Sequence, residues 1–124
     1  MIEVIAIVTT KPGLRASVLS IFLEHVVAVK REKGCIEYTP AVDIVDAPHA
    51  VRLLGPDTFV VLEKWNSREE LVAHEMSVDH KAYRSRVDDL LVSRVIHVVE
   101  PITPKRSSPV HGGAELTNHF PTLR

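Results

Sequence analysis

The sequence predicts an α+β fold of the ferredoxin-like kind, a β-α-β-β-α-β antiparallel sheet that pairs with a second copy as a dimeric α+β barrel. Three observations predict it. At 124 residues the chain has room for one core and not two. Its strand-like and helix-like stretches follow the split βαβ order, which lays helices on one face of an antiparallel sheet. Residues 2–10 (IEVIAIVTT) are apolar on both alternating sets, Ile2, Val4, Ala6 and Val8 on one and Ile5 and Ile7 on the other. A half-solvated antiparallel sheet alternates apolar with polar, so a second layer has to cover the face without helices. Two sheets packed face to face would do so.

Residues 2–10 are rich in β-branched side chains and form the first strand. Lys11-Pro12-Gly13 breaks it and opens a helix, since proline is tolerated in a first helical turn. Leu14, Val18, Ile21, Phe22, His25, Val26 and Val29 recur at three-to-four-residue spacing and make one apolar stripe. Lys30, Arg31 and Lys33 suit a helix C-terminus, and Gly34 is the expected stop. Residues 35–43 (CIEYTPAVD) form a second strand, in which Pro40 demands an edge or a bulge. A connection over residues 44–57 encloses a short apolar piece from Ala50 to Leu54.

Residues 58–65 (TFVVLEKW) form a third strand, with Phe59, Val61, Glu63 and Trp65 on one face and Val60, Leu62 and Lys64 on the other. Ser67-Arg68-Glu69-Glu70 matches a capping box in which Glu70 reaches back to the cap. The helix it opens is short, ending near Glu75 or Met76. Ser77 caps another helix from Val78 to about Val92, with Ala82, Val87, Leu90 and Leu91 as packing residues. Residues 94–100 (RVIHVVE) are the last strand, stopped by Pro101. The composition changes after residue 102. Residues 103–124 hold Pro104, Pro109, Pro121 and Gly112-Gly113. Such a segment is a disordered tail unless something holds it, and Leu116, Phe120 and Leu123 are expected to pack on a partner subunit or a neighbouring dimer. The expected organisation is a domain over 1–102 and an extension over 103–124.

Charge excludes several function classes. Fifteen Lys and Arg stand against 16 Asp and Glu, a formal net of −1. A phosphate-binding surface needs a clear basic excess, so no nucleic-acid partner is expected, and nothing favours an anionic membrane. Cys35 is the one cysteine, which rules out an intrachain disulfide and a multi-cysteine zinc site. No apolar run approaches the ~18–20 residues of a membrane span, and the N-terminus lacks signal-peptide features. A cytoplasmic location is expected.

Several strings, in the right order, resemble one family. Gly34-Cys35-Ile36-Glu37-Tyr38 follows a basic helix end. Phe59-Val60-Val61-Leu62-Glu63-Lys64-Trp65 closes on an ExW pattern. Leu71-Val72-Ala73-His74 is followed by Ser77-Val78-Asp79-His80. Together they are similar to the antibiotic-biosynthesis-monooxygenase family over roughly residues 2–102. The stretches Tyr38 to Asp43, Ala47 to Asp57 and His80-Lys81-Ala82-Tyr83 resemble its bacterial quinol monooxygenase type. The resemblance implies a homodimeric barrel that oxidises a small aromatic or quinol substrate with O2; the tail, outside the resemblance, is the segment expected to build any higher oligomer. It implies no metal, flavin or haem. The sequence shows no Gly-rich dinucleotide loop, P-loop or HExxH pair.

Oxygenation without a cofactor needs a substrate that supplies its own electrons, which a dihydroxyaromatic does once deprotonated. The protein then owes it a base, an apolar pocket and donors to the anion. Histidine is the usual base near neutral pH. His80 and His74 are the candidate bases, each with polar neighbours that equally suit a surface histidine. Tyr83 and Tyr38 are candidate donors or half-buried packing residues. Trp65 is either an aromatic wall for a flat substrate or a core aromatic with its N–H bonded nearby. Glu63 shares its face, where a carboxylate is costly unless paired. It either orients a histidine or pairs with Arg84 or Arg94. His25, on the apolar stripe of the first helix, reads as a packed structural histidine, and His49, His97, His111 and His119 carry no pattern.

Three other functions fit parts of the sequence. Haem degradation in the same fold uses a tryptophan and a helix histidine, matched by Trp65 and His74, but Ala6 stands near the position of a required asparagine. Isomerisation or breakdown of a small oxygenated carbonyl signal molecule uses a segment like His74, His80 and Tyr83. A small-molecule-binding dimer without turnover is the third.

Overall fold

A computed structural model describes residues 1–104 of the chain. Its elements run β1 (Ile2–Thr10), α1 (Arg15–Val29), β2 (Cys35–Ala41), β3 (Thr58–Trp65), α2 (Arg68–Met76), α3 (Val78–Val87), a 3₁₀ turn (Asp88–Leu90) and β4 (Leu91–Val99). The four strands form one antiparallel sheet in the order β2-β3-β1-β4. This is the α+β ferredoxin-like arrangement that the pattern of strands and helices predicts. The expectation for Leu116, Phe120 and Leu123 falls outside the described residues.

The period-2 pattern of β1 decides which face is buried. Val4, Ala6 and Val8 lie under the helices with Phe59, Val61, Glu63 and Trp65 of β3. Val18, Phe22 and Val29 of α1, Leu71 of α2, and Tyr83 and Val87 of α3 close over them. The opposite face carries Ile5 against Leu62, Ile7 against Val60 and Val95, and Glu3 against Val99. Ile5, Leu62, Val95 and Val99 on that face are 36–47% exposed. Among the described residues no second layer covers it.

Several boundaries differ from those expected, each for a local reason. Pro12 and Gly13 lie in the turn before α1, where Gly13 takes φ +80° and donates its N–H to Asp57 Oδ1 at 2.9 Å. That left-handed conformation cannot enter a helix, so α1 starts at Arg15. It ends at Val29, and Lys30 to Lys33 form a separate turn that closes on Gly34 at φ +84°. A Cβ at Gly34 would run into the Glu70 side chain, so glycine is required there on two grounds. Pro40 does sit on an edge strand, but the irregularity of β2 lies between Cys35 and Glu37, and pairing stops at Ala41. Asp43 leaves the ladder to accept the N–H groups of Leu54 and Gly55, both at 2.9 Å.

The α3 helix stops at Val87 rather than near Val92, and Ala82 faces solvent. Asp88 binds Arg84 Nε at 3.2 Å and lies 3.0 Å from Arg94 Nη2. That clamp pins the end of α3 to β4, and the chain pairs with β1 from Leu91 onward, three residues earlier than expected.

Candidate active site

One serine positions both candidate bases. Ser77 ends α2 and caps α3, its hydroxyl donating to the His74 carbonyl at 2.8 Å and accepting the His80 N–H at 3.1 Å. The break between the helices therefore turns two side chains six positions apart toward each other, with ring centroids 4.4 Å apart. The start of α2 is held by Ser67, which accepts the Glu70 N–H at 3.2 Å. The second half of the expected capping box is altered, because the Glu70 carboxylate takes the Ser67 hydroxyl at 3.1 Å.

Tyr38, Glu63, His74, His80 and Tyr83 all line one cavity of about 280 Å³ between the sheet and the helices. Its floor is apolar, from Val4, Ala6, Val8 and Val61 of the sheet, and Arg84 and Arg94 stand at one side. The volume is close to the lower end of ligand pockets, ~300 Å³, which is room for a one- or two-ring aromatic. Phe22 fixes the tyrosines by stacking on Tyr38 at 5.2 Å and meeting Tyr83 edge-on at 5.6 Å. Trp65 is fully buried one layer behind, its ring 4.8 Å from His74. It supports the wall of the cavity rather than lining it.

Glu63 finds neither of its two expected arginines, since Arg84 and Arg94 are both drawn to Asp88. Its Oε1 accepts the Trp65 indole N–H at 3.0 Å. Burial pushes the carboxyl up to about 7, and the indole N–H works against that shift. A carboxyl with a raised folded pKa keeps its proton in the native state after the unfolded chain has lost it. Stability from Glu63 is therefore full below its unfolded value of 4.5 and declines as pH rises to about 7. Glu63→Gln keeps an acceptor for the indole and removes the charge. The variant is expected to gain on the order of 3 kcal/mol over the wild type at pH 8 relative to pH 4. Thermal melts at the two pH values check this; an equal difference at both would show that the carboxyl titrates normally.

Two residues with no place among the sequence candidates stand directly behind the cavity histidines. Glu32 Oε1 lies 2.8 Å from His74 Nδ1. An ionised carboxylate only accepts, so the neutral ring carries its proton on Nδ1 and leaves Nε2 as an acceptor. His25 lies flat on Tyr83, with centroids 4.6 Å apart and planes 1° apart, and its Nε2 is 3.4 Å from His80 Nδ1. The sequence signal for His25 was its place on the apolar stripe of α1. Glu32 lies past the helix in a turn and gave no signal.

Burial holds both cavity histidines neutral, His74 down to about 4 with His25 adding to the effect. His80 falls to about 3, by burial first and then by His74, His25, Arg84 and Arg94. Tyr83 is pushed up to about 12 by burial, and Tyr38 rises further from the same cause with Glu63 adding. At neutral pH the cavity presents neutral imidazoles that can accept a proton and un-ionised phenols that can donate a hydrogen bond. Among the described residues no three His, Cys, Asp or Glu side chains are arranged to hold a metal ion.

Comparison with known proteins agrees with this architecture. The Escherichia coli (strain K12) protein named "Probable quinol monooxygenase YgiN" is 35% identical over 103 residues, spanning 82% of this chain and 98% of that protein. Solved structures share the fold at lower identity. Rv0793 from Mycobacterium tuberculosis has a TM-score of 0.68 at 23% identity, covering 85% of this chain and 98% of its own. PA3566 from Pseudomonas aeruginosa has a TM-score of 0.68 at 20% identity, covering 82% and 94%. The family model described as antibiotic biosynthesis monooxygenase matches residues 1–86. The chain belongs to the antibiotic biosynthesis monooxygenase family.

Proposed function

We propose that the protein is a cofactor-independent monooxygenase that oxidises a quinol or related dihydroxyaromatic with O2. The substrate supplies all the electrons. A dihydroxyaromatic and O2 give a hydroxyquinone and water, one oxygen atom entering the ring and the other leaving as water. His80 takes the first phenolic proton on Nε2, its Nδ1 being turned toward His25. The resulting anion is a far better reductant than the neutral quinol. Tyr83 and Tyr38 donate to its oxygens, while His74, oriented by Glu32, is the second imidazole at the ring. Trp65 and Glu63 hold His74 and the cavity wall in position.

The observation that carries this reading is the meeting of two burial-neutralised imidazoles and two un-ionised tyrosines around one aromatic-sized cavity. Such a cation-disfavouring site accepts a proton only where an anion forms beside it, so base and phenolate are created as a pair. The name carried by the Escherichia coli relative supports the choice of quinol. The bare apolar face of the sheet supports a homodimer, in which a second copy would bury Ile5, Leu62, Val95 and Val99. Sedimentation at micromolar concentration would give a dimer mass, and a monomer would remove that part.

The test is oxygen uptake against a panel of naphthoquinols and phenols, with heat-inactivated protein as background and an anaerobic arm. Uptake above background that scales with protein is the expected result. Substrate conversion in the anaerobic arm would instead point to an isomerase, and an inactive protein with saturable quinol binding to a binding module.

A further inference from the structure

His25 stands outside the cavity. It is 8% exposed and lines a groove on the outer side of the helical layer, between α1 and α3, with Glu24, Asp79 and Arg86. His80 lines the cavity on the inner side. The two rings meet through the layer, with His80 Nδ1 3.4 Å from His25 Nε2. Tyr83 lines both spaces and keeps the His25 ring flat against its own. A packed structural histidine needs no such placement between two solvent-reachable spaces.

We propose that His25 is a proton-relay residue, the outlet through which His80 exchanges a proton between the cavity and solvent in the α1–α3 groove. The proposal rests on the reading of His80 as the base. The phenolic O–H bond breaks and its proton bonds to His80 Nε2. The Nδ1 proton of His80 moves to His25 Nε2, and His25 releases its own Nδ1 proton to groove water. One proton enters the pair and one leaves, with no electron transferred. The same path runs inward when the reduced oxygen atom is protonated and departs as water.

The surrounding charges set a direction. Burial disfavours the cation at both rings. At His80 the neighbouring His74, His25, Arg84 and Arg94 add to that effect, whereas at His25 the carboxylates of Glu32 and Asp79 oppose it. The other groups facing His25 are His74 of α2, 6.3 Å away ring to ring, and Tyr38 of β2 at 6.0 Å. Arg86 across the groove is paired with Glu24 at 3.1 Å. A proton on His80 therefore moves from a ring flanked by cations to one flanked by anions.

The test uses His25→Gln and Asp79→Asn in the full chain. Asp79 is exposed, so the second variant removes a charge beside the relay without opening the core. His25→Gln is expected to lower kcat roughly tenfold or more, with KM within about twofold, and added imidazole should restore turnover to His25→Ala. Asp79→Asn should lower kcat in the same direction by less. An unchanged kcat, or a KM that rises in step with the loss, would overturn the relay. Exchange of the His80 ring protons with solvent, read by NMR, needs no turnover and should slow roughly tenfold in His25→Gln; unchanged exchange also overturns it. If the wild type is inert toward every quinol while exchange still slows, the oxygenase reading fails and the relay stands. If the wild type is active and His25→Gln changes neither readout, the reverse holds.

Discussion

His80→Ala is expected to lower kcat/KM for quinol oxidation by about 10²–10⁴-fold, the usual worth of a positioned general base. The ring is half-buried, and it does not belong to the buried core. The capping bond to Ser77 uses the backbone N–H, which alanine keeps. The loss should therefore be chemical, with the melting temperature nearly unchanged. His49→Ala, in the exposed β2–β3 connection, is the matched control and should keep its rate. Stopped-flow oxidation of a naphthoquinol under excess O2 reads both variants. A His80→Ala rate equal to that of the wild type would remove this ring from the reaction and leave His74, the imidazole held by Glu32, as the base.

Phe22→Ala carries the largest expected loss of stability, about 3–5 kcal/mol. Phe22 is 1% exposed and touches three aromatic rings, Tyr38, Phe59 and Tyr83, at 5.2, 5.9 and 5.6 Å. Alanine there removes the transfer energy of the ring and leaves a void that three stiff neighbours cannot collapse into. The adjacent Leu23 is 54% exposed on the same helix, and Leu23→Ala should stay within about 0.5 kcal/mol. Urea unfolding reads the pair, the midpoint falling for Phe22→Ala at an unchanged slope. Similar midpoints for the two variants would contradict the burial that places Tyr38 and Tyr83. Because Phe22 also lines the cavity, quinol affinity should fall with stability in the one variant and not in the other.

Repeating patterns carried the fold into the sequence. Alternation along residues 2–10 and 58–65, and the three-to-four-residue stripe over 14–29, depend only on a residue's near neighbours in the chain. A reader can therefore recover them without the fold. Ser67 and Ser77 were legible for the same reason, since a cap is satisfied within three residues. The family strings then brought Tyr38, Glu63, His74, His80 and Tyr83 together as candidates, and these five line one cavity. Boundaries were harder. The end of α3 depends on Asp88 meeting Arg94 of β4, a contact that no period announces.

The sequence alone determined the element order, the buried face of the sheet, the bare second face and the capped break that separates His74 from His80. The tertiary structure decided what surrounds each titratable group. Glu32 reaches His74 across 42 positions, and His25 reaches His80 across 55. Glu63 turns to the Trp65 indole because Asp88 has already drawn both arginines. The physical reason is one of range. Hydrophobic periodicity is written locally and repeated many times, whereas a hydrogen-bond partner or a burial-shifted pKa depends on one distant side chain, and packing alone brings it into reach.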